Sequence, residues 1–114
     1  MFVQFAHGCE VNNNSRVEKD GGEYKRYGEP TEAALKVLGL KMFNSNVSDC
    51  QKAYEQIVQL DFTGDRKCMS TIAAEGTKKR MFVKGAPEKL IEKCTTIRQL
   101  GDNTPQPLNN NQKQ

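Results

Sequence analysis

Chemistry in this chain converges on Lys84, in the run Met81-Phe82-Val83-Lys84-Gly85-Ala86-Pro87-Glu88. Met81, Phe82 and Val83 suit a half-buried strand. Gly85 permits a sharp turn, Pro87 fits the first position of a helix, and Glu88 complements that helix's positive end. A lysine at a strand end beside exposed backbone N–H groups favours an anion, most commonly phosphate. The same local features also describe an ordinary solvated lysine, so alone they do not make a site. A second polar segment, Asp61 to Lys67, carries Phe62 as its one aromatic and Lys67 as a further cation. Metal chemistry has little to work with: Cys9, Cys50, Cys68 and Cys94 show no metal-type pairing, and His7 is the sole histidine. The cysteines read as free cytosolic thiols rather than a disulfide framework.

Elements that position these residues follow from turn and periodicity signals. Cys68 to Ala74 reads as a strand, residues 75–78 as a turn and residues 79–84 as the returning strand, an antiparallel hairpin. The start of the first strand and the end of the second then share one end, which brings Phe62, Lys67 and Lys84 together. Upstream, Phe2, Val3 and Phe5 are expected to form a short strand, followed by a loop to Gly21-Gly22, and residues 23–27 an edge strand. Pro30 and Glu32 open a helix whose stripe is Ala34, Leu35, Leu38 and Met42, with Gly39 weakening its last part by about 1 kcal/mol and marking its end. Ser48 and Gln51 fit a capping box for a second helix with Cys50, Ala53, Tyr54, Ile57 and Val58 on one face. Residues 87–94 form a short helix with Leu90, Ile91 and Cys94 inward, and residues 95–100 a last strand. From Gly101 the Asn/Gln-rich tail is expected to be disordered. Hairpin signals dominate and no parallel crossover recurs, so the fold class is α+β, an antiparallel sheet flanked by helices.

With 114 residues, 36% of them hydrophobic, the chain holds one domain with a modest core. No apolar run approaches the roughly 20 residues that span a bilayer, and the first residues lack the pattern of a signal peptide, so a soluble chain is expected. Residues 1–57 carry 7 Lys/Arg against 8 Asp/Glu, whereas residues 58–114 carry 10 against 6. The basic half contains Lys84, which favours an anionic ligand there. The excess is far from the dense basic stripe of a nucleic-acid binder.

Three segments occur in order: Gly28-Glu29-Pro30-Thr31-Glu32-Ala33-Ala34-Leu35, Phe62-Thr63-Gly64-Asp65-Arg66-Lys67-Cys68-Met69-Ser70 and Phe82-Val83-Lys84-Gly85-Ala86-Pro87-Glu88. Together they resemble the nucleotide-binding (N) domain of P-type cation-transporting ATPases, and Lys93-Cys94-Thr95-Thr96-Ile97-Arg98 adds to the likeness. The wording is most similar to calcium pumps of the sarco/endoplasmic-reticulum and secretory-pathway type. Residues 23–100 carry the resemblance as a domain core, between a poorly defined strand and loop at 1–22 and the polar tail at 101–114. The resemblance implies that Phe62 stacks on adenine, a contact of about 1–3 kcal/mol. It puts Lys84 deep in the adenine pocket, Lys67 toward the phosphates and Glu32 in a hydrogen bond near the adenine. Met69 and Gly85 would line the wall, Gly85 leaving room for a flat ring. The implied ligand is ATP, as Mg-ATP in an intact pump, and the implied partners are that pump's phosphorylation and actuator domains. A monomer is implied, with no nucleic acid and no direct membrane contact, at the cytoplasmic face of the endoplasmic reticulum, Golgi or plasma membrane.

Two departures qualify the likeness. Gly64 stands where the calcium-pump pattern commonly has an arginine that reaches the phosphates, and a further arginine of the family lies downstream of this sequence. A truncated domain lacking part of the site and sheet is therefore expected. Asp61-Phe62-Thr63-Gly64-Asp65 is similar to the Asp-Lys-Thr-Gly-Thr signature of the phosphorylated aspartate. Phenylalanine replaces its lysine, aspartate replaces its last threonine, and Asp61 is rejected for that role. Without that aspartate or a membrane domain the chain by itself is expected neither to hydrolyse ATP nor to transport ions. The alternative is a non-catalytic truncated paralogue acting as an anion- or protein-interaction module. Gly64 and the early stop favour it, and the retained Glu32, Phe62, Lys67 and Lys84 argue against it.

Overall fold

The computed structural model describes residues 2–43, 52–99, 101–102 and 104–113, and its elements follow one another along the chain. They are helix α1 (Phe2–Val11), strands β1 (Arg16–Asp20) and β2 (Glu23–Tyr27), helix α2 (Pro30–Phe43) and strands β3 (Glu55–Leu60), β4 (Cys68–Glu75) and β5 (Lys78–Gly85). After them come the short helix α3 (Pro87–Ile91), strands β6 (Thr96–Ile97) and β7 (Gln106–Pro107), and a 3-10 turn at Asn110–Lys113. Among the described residues every strand pairing is antiparallel, and the principal sheet has the order β3-β4-β5. The fold is α+β, as the hairpin signals lead one to expect.

The expected hairpin is present. Glu75 pairs with Lys78 across Gly76-Thr77, and Gly76 has φ +61°, the left-handed entry of a type II′ turn. From there the register runs Thr71 to Phe82, Met69 to Lys84 and Cys68 to Gly85. Met69, Thr71, Ala73, Arg80, Phe82 and Lys84 thus share one sheet face, because side chains alternate along a strand. That face meets α1. The Tyr54 ring packs edge-on against both Phe82, with ring centroids 5.3 Å apart, and His7, at 4.8 Å.

Helices α1 and α2 lie against each other through Ala6, Cys9, Glu10 and Ala33, all buried. A Cβ on Gly39 would sit 3.2 Å from Glu10 Oε1 and 3.3 Å from the Ala6 carbonyl oxygen. Glycine there serves close helix approach and does not end α2, which runs on to Phe43. Ala34 and Leu38 face solvent, so the expected stripe is displaced onto the side that contains Ala33 and Gly39.

Further expectations are corrected. Residues 2–11 are helical, not a strand, because Ala6, Cys9 and Glu10 at helical spacing are what α2 buries. Residues 16–20 are a strand rather than loop, paired with β2 in full register. Residues 55–60 are strand β3, although Tyr54, Ile57 and Val58 fit a helical period. Pairing with the central strand β4 overrides that spacing, with an irregularity between Gln56 and Val58 that leaves Ile57 unpaired in the register. Ser48, Cys50 and Gln51 lie outside the described residues. At the other end, Gln106 and Pro107 pair with Ile97 and Thr96. Cys94 is exposed and not inward-facing.

Candidate functional site

Glu32 is held in the first turn of α2, and Lys84 near the end of β5. The fold brings them to an ion pair of 2.6 Å between Glu32 Oε1 and Lys84 Nζ. Both side chains are largely shielded, at 18% and 27% exposure, and the ammonium itself is closed to solvent. The second carboxylate oxygen, Glu32 Oε2, accepts the Asn14 backbone N–H at 2.9 Å. Met69 stands opposite Lys84 in register and is buried. Lys84 also lines a cleft of about 270 Å³ with Phe5, Cys9, Leu35 and Phe82. Burial, reinforced by Glu10, pushes the Cys9 thiol up, which favours its protonated form.

Phe62 and Lys67 sit in the segment joining β3 to β4. Phe62 is 58% exposed, a large apolar ring presented to solvent. Lys67 is exposed and adopts φ +54°, a left-handed conformation unusual for a side-chain-bearing residue. Its backbone is fixed from two directions. Lys67 N–H donates to the Thr63 carbonyl at 2.8 Å, and the Lys67 carbonyl accepts Ala86 N–H at 2.9 Å. Gly85 makes this approach feasible: a Cβ there would meet the Lys67 carbonyl oxygen at 2.3 Å and Cys68 Cα at 2.6 Å. The space beside Gly85 is therefore occupied by β4, a reason for glycine that lies within the protein.

Arg66 is turned away from Lys84. Its guanidinium donates to the Leu60 and Asp61 carbonyls at 3.3 and 3.0 Å and to Ser70 Oγ at 2.7 Å. Ser70 belongs to the sheet face opposite Met69, so Arg66 braces the segment from the far side. Gly64 has open space around it.

Sequence reasoning passed over Asn12, Asn13 and Asn14 as polar loop, yet they tie the surrounding elements together. Asn12, 2% exposed, donates to the Met69 carbonyl at 3.3 Å and accepts from Thr71 Oγ1 at 2.9 Å. Asn13 donates to the carbonyls of Cys9 and Glu32 at 2.9 and 2.8 Å, joining the end of α1 to the start of α2. Asn14 Nδ2 donates to Asp61 Oδ1 at 3.2 Å, and Gln59 Nε2 donates to Asn14 Oδ1 at 2.5 Å and Asp61 Oδ1 at 2.9 Å. These hydrogen bonds hold the Asp61 carboxyl below its ordinary range. The only signal in the sequence is the run of three short amides, whose partners lie far along the chain.

Comparison with known proteins gives a consistent result. Residues 1–114 match the family model described as P-type ATPase, cytoplasmic domain N. Calcium-transporting ATPase 4, endoplasmic reticulum-type, of Arabidopsis thaliana is 36% identical over 119 aligned positions, covering 91% of this chain and 11% of that protein. Calcium-transporting ATPase 3, endoplasmic reticulum-type, of the same plant is 35% identical over 109 positions, covering 78% of this chain and 11% of its own length. The chain thus spans about a tenth of the length of either relative.

Proposed function

The chain belongs to the P-type ATPase family as a cytoplasmic N domain of the calcium-pump type, and from that membership we propose that it binds the adenine end of ATP. In this reading the domain holds the nucleotide while the γ-phosphate is presented to an aspartate on a separate phosphorylation domain. Its contribution to catalysis is positioning, the term that dominates when the protein supplies little covalent chemistry to phosphoryl transfer. The observation that carries the reading is the convergence of Glu32, Lys84 and Met69 at one end of the β4–β5 hairpin, with the exposed ring of Phe62 on the segment that enters β4.

The roles follow from the chemistry of each group. Phe62 supplies a π-face for the base. Lys84 and Glu32 are paired with the ammonium closed to solvent, so in this reading the pair parts to offer a donor and an acceptor to the base edge, beside Met69, which stands opposite Lys84 in register. Gly85 lets the Lys67 backbone lie against the hairpin end, and the exposed Lys67 ammonium is directed at the phosphates. Arg66 is committed to backbone carbonyls and does not replace the arginine absent at Gly64, so phosphate contacts are few. Mg²⁺ would arrive on the phosphates of Mg-ATP. The parent protein is a calcium-transporting pump of the endoplasmic-reticulum type, with the phosphorylation and actuator domains as partners.

Titration of ATP, AMP and plain triphosphate, followed by amide NMR shifts, tests this. Binding near millimolar, about −4 kcal/mol, is expected for ATP and AMP alike. Shifts should centre on Glu32, Phe62 and Lys84 and be lost in Phe62→Ala and Lys84→Met. Equal response to triphosphate would sink the adenine assignment.

A further inference from the structure

We infer that Asn14 and Asp61 form a positioning latch that sets Phe62 relative to the Glu32–Lys84 pair; the inference rests on the adenine-binding reading above. Asn14 bridges two parts of the site. Its backbone N–H holds Glu32 Oε2 at 2.9 Å, and its side chain holds the Asp61 carboxylate at 3.2 Å. Asp61 immediately precedes Phe62, so fixing Asp61 fixes where the aromatic ring begins.

Three arrangements converge on that one residue. Gln59 closes a triangle with Asn14 and Asp61, donating to both. Arg66 pins the Asp61 carbonyl at 3.0 Å from the other side of the segment. Main chain and side chain of Asp61 are therefore both tethered, while the Phe62 ring beyond them stays exposed. An aromatic platform gains affinity from being held in place before its ligand arrives, because less freedom is then lost on binding. The aspartate that resembles a phosphorylation signature is thus assigned a purpose as an acceptor, one that needs no phosphoryl chemistry.

Two substitutions of Asp61 separate acceptor from charge. Asp61→Ala and Asp61→Asn both remove the carboxylate charge, but only Asp61→Asn keeps an oxygen for Asn14 and Gln59. AMP is titrated into wild type, Asn14→Ala, Asp61→Ala and Asp61→Asn. In parallel, the Phe62 resonance is followed by fluorine NMR of fluorophenylalanine-labelled protein without ligand, and unfolding midpoints are recorded.

AMP affinity should fall about threefold to tenfold in Asn14→Ala and Asp61→Ala, the range expected for hydrogen bonds of ordinary net strength. The Phe62 resonance should move in both, Asp61→Asn should restore affinity and resonance, and the double Asn14→Ala/Asp61→Ala variant should lose little more than either single one. AMP binding that Asn14→Ala leaves intact, with an unmoved Phe62 resonance, overturns the latch alone. Equal loss in Asp61→Asn and Asp61→Ala also overturns it, because charge would then be the cause. Wild type that shows no shift with AMP overturns the adenine reading, and this inference with it.

Discussion

At the scale of single residues, the decisive feature is how often a side chain is committed to a distant backbone group. Asn12 is the clearest case, with both ends of its amide engaged at 2% exposure. Asn12→Ala should cost about 1–3 kcal/mol, since it leaves the Thr71 hydroxyl and the Met69 carbonyl buried without this partner. Urea unfolding measures this, and Asn12→Asp should be worse because it buries a charge and faces an acceptor with an acceptor. Gly64 presents the opposite situation. A Cβ there meets nothing within 4 Å, so the site tolerates a long side chain. Gly64→Arg is expected to tighten ATP several-fold while leaving AMP nearly unchanged, and the gain should fade as salt rises. Isothermal titration at two ionic strengths reads both effects.

At the scale of elements, the contact between α1 and α2 turns on one ion pair. Glu10 Oε2 lies 3.2 Å from Lys36 Nζ, and the two side chains are 3% and 12% exposed. Lys36→Met should destabilise the fold by about 3–5 kcal/mol, because it strands a buried carboxylate, whereas Glu10→Leu combined with Lys36→Met should recover most of the loss. Comparing unfolding free energies of the single and double variants checks this. The same packing explains what was legible beforehand. The α2 start at Pro30, the β4–β5 turn at Gly76 and the α3 start at Pro87 are written locally, as a fixed φ or a left-handed glycine. The hairpin that gathers Phe62, Lys67 and Lys84 could be read for that reason, whereas Glu32, Met69 and Gly85 were reached only through the resemblance to the family. Helix α1 and strand β3 were not legible, since Ile57 and Val58 fit two periods and Phe2, Val3 and Phe5 fit neither well. Contact with α2 and β4 decides them. The asparagine run was opaque because its partners Glu32, Asp61, Met69 and Thr71 are remote in sequence.

At the scale of the whole molecule, the principal sheet has two unlike faces, and stability should report which of them is core. Burial lowers the His7 pKa, partly countered by Glu75, so the fold favours the neutral imidazole. The unfolded chain then binds the extra proton, and stability should fall as pH drops below the ordinary histidine value of about 6.5. Glu75, lowered by its Arg80 pairing, should lose its contribution only in the more acidic carboxylate range. Denaturation midpoints between pH 8 and pH 5 should therefore decline, and His7→Gln should flatten that decline. The opposite face carries Val58, Leu60, Ile72, Met81 and Val83 by register, with Met81 60% exposed and Leu60 49% exposed. Adjacent residues in β5 separate the two faces with nothing else changed. Phe82 packs against Tyr54 and lies over Gly8, where an added Cβ would come within 3.3 Å of the ring. Phe82→Ala should therefore cost about 3 kcal/mol, while Met81→Lys should stay within about 0.5 kcal/mol of wild type. Chemical denaturation of the two variants side by side decides the matter. A large loss in Met81→Lys would mean that the Val58–Met81–Val83 face is covered in solution, and α1 would no longer account for the core alone.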